Sequence, residues 1–368
     1  MKKLLILISM IILLFSANVY GETSDDSDMY TETAIVLEAS ELKETEEVEG
    51  FINQYQDVKL KITSGKYKNQ IFDVKNNLSE NDVYNIVVEK GEKVVVSIQE
   101  IEGEDINIYI SDYMRQNYIF YLVIIFILLI IIIGKKKGLK SVVTLAITMF
   151  AILKVLLPMI LKGANPIPIT ILISIVVTIL TMFIVGGINK KSIAAVVGTS
   201  GGVLVAGIIA YYIGSQVKLT GLSSEEATML MYIPQEVNFD FRGLLFSGII
   251  LGSLGAVMDV GMSIASSMDE IHKANPNLTR KELFKSGMNV GKDVMGTMTN
   301  TLILAYTGSS IPVLLLFMAY ETSIAKILNL DVIATEAIRS LAGSIGLVLT
   351  IPLTALVSST LIKNSSSK

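Results

Sequence analysis

The stretch GLLFSGIILGSLGAVMDVGMSIA, Gly243–Ala265, decides how this chain reads. It is long and apolar enough to cross a bilayer as a helix, yet it contains Asp259. At helical spacing Gly248, Gly252, Gly255, Ser263 and Ser266 share a face with that aspartate, so the stripe is small or polar throughout. An unpaired ionisable group in hydrocarbon costs several kcal/mol, from about 2.5 upward, which makes Asp259 a functional-site candidate by default. A basic polar loop follows, then a second apolar run up to Tyr320. There Asp293, Thr297, Asn300 and Thr307 mark a matching face. The pair predicts a multi-spanning membrane protein with a polar interior, Asp259 and Asn300 facing inward.

Composition agrees. Of 368 residues 51% are hydrophobic, and the mean hydropathy is +0.59, far above a soluble domain. Charge is segregated. Residues 22–117 hold 22 of the 34 acids against nine bases, a local net of −13; the remainder carries 21 bases against 12 acids. With no cysteine, a disulfide framework and a thiolate metal site are excluded. The single histidine, His272, cannot build a multi-histidine metal centre and reads as a residue beside a helix end. No metal and no cofactor are expected.

Lys2 and Lys3, the apolar run Leu4–Phe15 and the small-residue end at Gly21 have the layout of a secretory signal, with Val19-Tyr20-Gly21 as an acceptable cleavage site and an uncleaved signal anchor as the alternative. The acidic segment 22–117 then lies outside the cytoplasm. It holds alternating strands at Thr33–Glu38, Val58–Thr63, Gln70–Val74, Val94–Gln99 and Ile106–Ile110, parted by turn signals at Ser64-Gly65, Asn76-Asn77 and Lys90-Gly91. These predict a small all-β domain, a barrel or sandwich, with an OB-like barrel among the readings. Its acidic face is a solvated surface or, on the sharper reading, a cation trap; the charge argues against nucleic acid.

Residues 118–368 form the transmembrane part. A short aliphatic span at Tyr118–Ile133 reads as a lipid-facing tether, and six more follow at about 139–161, 167–187, 193–213, 243–265, 294–319 and 338–362. Lys135, Lys136, Lys137, Lys140, Lys190, Lys191, Lys273, Arg280, Lys281, Lys285, Lys292, Lys363 and Lys368 fall on one side. Only Lys162, Lys218, Arg242, Lys326 and Arg339 fall on the other. The positive-inside rule makes the first side cytoplasmic, with the β domain outside and the C-terminus inside. Lys154 lies within a span and reads as snorkelling, with an ion pair to Asp259 as the alternative. Asp293 reads as an acid at a helix start.

Two more spans carry small stripes: Ala195, Thr199, Gly202, Ala206 and Ala210, and Gly343, Gly346, Thr350, Thr354 and Ser358. With the first two they predict a central bundle. Gly308-Ser309-Ser310-Ile311-Pro312 interrupts its span, as a kink satisfied by the serines or as a break whose carbonyls line a cavity. Candidate binding or coupling residues are Asp259, Asn300, Thr297, Ser263, Tyr306 and Ser309; Gly248, Gly252, Gly255, Gly202, Gly343 and Gly346 are expected to pack helices.

Lys162-Gly-Ala-Asn-Pro166, Leu254-Gly-Ala-Val-Met-Asp259, the long run Gly291–Tyr306 and the Gly343-Ser344-Ile345-Gly346 stretch continuing to Pro352 resemble the YibE/F family of bacterial multi-spanning membrane proteins. The run departs from the family pattern at Lys292, where arginine is expected. The resemblance implies a bacterial plasma-membrane location and assigns neither substrate nor reaction. Leu254–Glu270 is also similar to the aspartate-bearing helix of proton-driven RND and SecD/SecF-type proteins, where such an aspartate relays protons.

Three functions compete on the sequence alone. One is a permease or exporter coupled through Asp259. Another is a non-transporting envelope assembly protein whose β domain binds a partner, with the bilayer and a homo-oligomer or paralogous membrane partner around it. The third, an intramembrane enzyme, lacks a His-Glu-x-x-His site, a cysteine nucleophile and a second catalytic aspartate.

Overall fold

The structure, a computed structural model, describes residues 28–45, 53–78, 85–100, 106–233, 237–320 and 323–363. The signal segment, the acids at 22–27 and Glu46, Glu47 and Glu49 lie outside the described residues. The chain forms two compact units, whose boundary falls inside one helix between Leu129 and Ile130.

The first unit is a curled antiparallel sheet of six strands: β1 (Asp28–Ala39), β2 (Lys43–Thr45), β3 (Asn53–Ile62), β4 (Ile71–Leu78), β5 (Lys93–Glu100) and β6 (Asn107–Tyr113). Its order is β4-β3-β1-β5-β6, with β2 continuing beside β3, and the edge strands β4 and β6 also touch, which makes a half-barrel. Alternation drives it: Ala34, Val36, Val58, Leu60, Ile62, Val94, Val96 and Ile98 point to one interior, the odd-numbered neighbours away. Gly65 (φ +64°) and Gly91 (φ +93°) take left-handed turns as their sequence predicts. Asn76-Asn77 does not turn; it lies inside β4. Asn76 is buried because its Nδ2 donates to the Ile86 carbonyl (2.8 Å), and the true turn before β4 is at Asn69 (φ +72°). The neighbouring core polar residue, Gln56, holds segment 85–89 in place through Val88 (3.0 and 3.1 Å).

The second unit is helical: α1 (Gln116–Phe150, begun in the first unit), a π-helical turn at Ala151–Leu156, α2 (Leu157–Leu161), α3 (Pro166–Gly186), α4 (Lys190–Gln216), α5 (Glu225–Met229), α6 (Phe241–Ala274), α7 (Arg280–Ser309), α8 (Ile311–Ala319), α9 (Ile324–Leu328) and α10 (Asp331–Lys363). Five stretches among the described residues are long and apolar enough to cross a membrane, and a sixth if α7 and α8, bent by 58°, count as one. The first, Gln116–Leu161, is continuous only in name. At Lys135 the backbone leaves helical geometry (φ 49°, ψ −125°). A Cβ at Gly138 would collide with the Ile130 carbonyl, so the chain needs glycine there. The π turn precedes Pro158, whose ring removes a donor and clashes with the preceding turn.

Helix starts follow local chemistry. Asn165 caps α3 ahead of Pro166, Asn189 caps α4 through Ser192 N–H (3.0 Å), and Asp240 caps α6 through Gly243 N–H (2.8 Å). A capping box, Thr279 with Glu282, opens α7. That helix then runs unbroken, taking in the second half of the stretch that reads from sequence as a basic polar loop. Asp293 therefore sits in a helix interior and not at a start. Within it, Gly287 and Gly291 let Met268 and Ile351 pack directly on the helix backbone.

The helical core is built on α6, whose Val257, Val260, Ile264 and Met268 pack with Leu347, Ile351 and Ala355 of α10. Beside it runs the tightest seam, α4 against α10. Ala195, Thr199, Gly202, Ala206 and Ala210 are all buried, as are Gly346, Thr350, Thr354 and Ser358; Gly343 is buried on another side of α10, against Ser253 of α6. A Cβ at Gly346 would lie 2.6 Å from the Gly202 carbonyl oxygen and 2.7 Å from Ala206 Cβ, so the backbones are in contact. Thr199 and Thr354 make no conventional side-chain hydrogen bond. Their oxygens instead lie against the glycine α-carbons Gly261 and Gly198, the setting of a Cα–H···O contact.

Candidate functional site

The other two stripes behave differently. On α6, Gly248, Gly252, Gly255, Asp259 and Ser263 are all exposed at the surface of the unit, not turned inward. A Cβ at Gly248 or Gly255 would meet nothing within 4 Å. The buried face of α6 is the opposite one, with Gly261 fitted against Thr199. On α7, Asp293, Gly296, Thr297, Asn300, Thr301 and Thr307 are exposed, while Gly287, Gly291 and Leu302 turn to the core. The expected inward orientation of Asp259 and Asn300 is thus reversed. The reason is volume: large apolar side chains on the opposite faces of both helices fill the space between α4, α6 and α10, and the small polar faces are left outside.

Antiparallel contacts fix the level of these residues. Tyr306 of α7 lies on Gly252 of α6, and Gly287 of α7 lies on Met268 of α6. At 1.5 Å rise per residue along each helix, Asp259 is level with Thr297 and Asn300. Two exposed hydroxyls at this level are internally satisfied: Thr297 donates to the Val294 carbonyl (3.0 Å) and Thr301 to the Thr297 carbonyl (2.9 Å), whereas the Thr299 hydroxyl has no described partner. Neither Asp259 nor Asn300 makes a side-chain hydrogen bond or ion pair with a described residue. Lys154 is exposed in the π turn and pairs with no described acid.

One end of the face joins the candidate Tyr306 to Arg339, which from sequence bears only on orientation, and to Glu336, which the sequence does not single out. Tyr306 is half-buried, its hydroxyl over Gly252 and its ring 6.0 Å from the Arg339 guanidinium. Arg339 bonds Glu336 one turn earlier on α10 (3.0 Å). The spacing of Glu336 and Arg339 in the last span is the signal that could have found them. Close by, Ser309 and Ser310 both donate to the Tyr306 carbonyl (2.8 and 3.0 Å) where α7 ends and α8 begins. The freed carbonyl at the bend is therefore satisfied by the serines.

The β unit has a groove of about 520 Å³ beside the β1 bulge, lined by Glu38, Asp57, Lys59, Asp73 and Lys75. Its acids have lysine partners: Lys59 lies 3.8 Å from both Glu38 and Asp73, and Lys43 pairs with Asp57. A second polar cluster joins β5 to the turn after β3. There Lys66 and Tyr67 bond Glu100 and hold its carboxyl below the usual carboxylate range. Among the described residues no three histidine, aspartate or glutamate side chains are gathered as a metal site.

Comparison with known proteins places both parts of the chain. Residues 122–364 match the family profile described as YibE/F-like protein, and residues 28–113 match the one described as YibE/F family N-terminal domain. No curated protein and no solved structure matches the chain.

Proposed function

The chain belongs to the YibE/F family, and from that premise we propose that it is a permease or exporter of the bacterial plasma membrane with Asp259 as its coupling or binding group. One observation carries this reading: a carboxylate halfway along an apolar helix, on a face of small residues, level with an amide, neither paired among the described residues. In hydrocarbon both groups are costly, and a chain retains them where water, an ion or a polar solute reaches them. Asn300, Thr297 and Ser263 line the same path, with Tyr306 and Ser309 at its outer end. Counting α1 as two spans broken at Lys135, and α7 with α8 as one, gives about seven. The lysine and arginine distribution then puts the acidic OB-like β domain outside and the C-terminus in the cytoplasm.

The test uses the absence of native cysteine. Ser263→Cys and Thr297→Cys are labelled in intact cells and in inverted vesicles with a membrane-impermeant thiol reagent. Labelling whose side or rate changes with pH or an imposed ion gradient is expected, and Asp259→Asn is expected to abolish the change. Protection from both sides in a folded protein would remove the pathway. The reading that remains is an anchor whose compact β unit binds an envelope partner.

A further inference from the structure

We propose that the exposed face of α6 and α7 is the contact between two copies of this chain, and that it closes the Asp259 site from outside. The inference rests on the membrane reading above but not on transport. A carboxylate, an amide and a row of glycine backbones facing lipid are the least favourable surface the bundle presents, and no described element of the same copy covers them.

The face is complementary to itself. Two copies in one bilayer with a common orientation relate by a two-fold axis along the membrane normal, and that operation keeps every residue at its depth. Acceptors and donors must therefore occur at one level of a single copy for such a pair to match. They do: the Asp259 carboxylate is level with the Asn300 amide and the Thr297 hydroxyl, on adjacent helices joined by the Tyr306–Gly252 and Gly287–Met268 contacts. In the pair, Asn300 of each copy donates to Asp259 of the other. Gly248 and Gly255 flank Asp259 on α6, and Gly296 adjoins Asn300 on α7, all with open space above the α-carbon. Two helices meet there at backbone distance, as α4 and α10 do inside one copy. The alternative occupant, lipid, offers no donor for the carboxylate in the acyl region.

Purified full-length chain in liposomes tests this. Gly255→Cys and Asn300→Cys, each alone, and Asp259→Cys mixed with a differently tagged Asn300→Cys are oxidised and sized. Dimer bands from these positions are expected, with none from Leu172→Cys or Ile208→Cys, which are equally exposed on α3 and α4 (62% and 65%). Because the Asp259 variant risks misfolding, wild-type chain is counted in parallel by stepwise photobleaching at falling protein-to-lipid ratio. Gly255→Leu is expected to weaken the wild-type pair about tenfold and Asp259→Leu about three- to tenfold. Single-step bleaching of folded wild-type chain at every ratio overturns the inference, whatever the transport assay shows. So does cross-linking through α3 or α4 in place of α6 and α7.

Discussion

The α4–α10 seam and the α6–α7 face are written in the same residues and end in opposite places. Both are stripes of small residues at helical spacing, largely alanine, glycine and threonine in the seam and glycine, serine and threonine in the face. In the seam, Gly198, Gly202 and Gly346 are in backbone contact and every stripe residue is buried. In the face, Gly248, Gly255 and Gly296 have nothing above them, and Asp259 and Asn300 are exposed. A small-residue stripe therefore marks a surface made for close approach, and says nothing about whether the approaching partner belongs to the same chain. Polarity separates the two. The seam holds only neutral hydroxyls: Thr350 donates to the Gly346 carbonyl (2.9 Å), while Thr199 and Thr354 lie against glycine α-carbons. The face holds a carboxylate, which has no proton to give its own backbone carbonyls, and an amide, Asn300, that bonds no described residue.

The strongest blow to this contrast comes from Gly202→Val. Its Cβ would collide with Thr350 Oγ1 and lie 2.7 Å from the Gly346 carbonyl oxygen, which is backbone and cannot swing aside. A loss of more than about 3 kcal/mol is expected, read as collapse of the folded fraction in a detergent melt. A wild-type melt would mean that the seam is not tight.

Next in size is the bend that ends the face. Replacing Ser309 and Ser310 together by alanine removes both donors to the Tyr306 carbonyl, about 1 kcal/mol each. Spin labels on α7 and α8 should then report a broader distribution about the 58° bend. An unchanged distribution would assign the bend to Pro312 alone.

A smaller effect of opposite sign separates the regions most cleanly. Gly255→Ala, studied in detergent dilute enough to leave single copies, should stabilise the helix by about 0.5–1 kcal/mol, since the new methyl meets nothing. If it destabilises a single copy, the face is not open.

The β unit supplies the reference outside both regions, and the smallest effect. Glu100 is held below its ordinary range first by Lys66 and then by Tyr67. A depressed carboxylate contributes stability that is present above its unfolded value, near pH 4.3, and is lost as pH falls through the lower folded value. Hydrogen exchange of the full chain should therefore quicken in β5 and in the Lys66–Tyr67 turn below about pH 4, with no matching change in α4 or α10. Lys66→Ala should move that onset upward.

Much of this was legible in residue order. Five of the six strands follow from alternation, and β2 was missed because three residues carry too little pattern. At Asn76-Asn77 two asparagines favour a turn locally, whereas the buried bond from Asn76 to Ile86 favours the strand. Lys135 and the Gly308–Pro312 break were marked by charge and by proline. The pairing of Tyr306 with Arg339 was not legible, because it joins two helices whose register only packing sets.

The sequence by itself determined which residues share a face, since helical and strand periods follow from backbone geometry, and it determined the segregation of acid from base. Only the tertiary structure decided which face turns inward. Asp259 and Gly261 lie two residues apart on one helix, one exposed and the other against Thr199. That choice depends on the volume and shape of three other helices, and no periodicity within a single segment contains it.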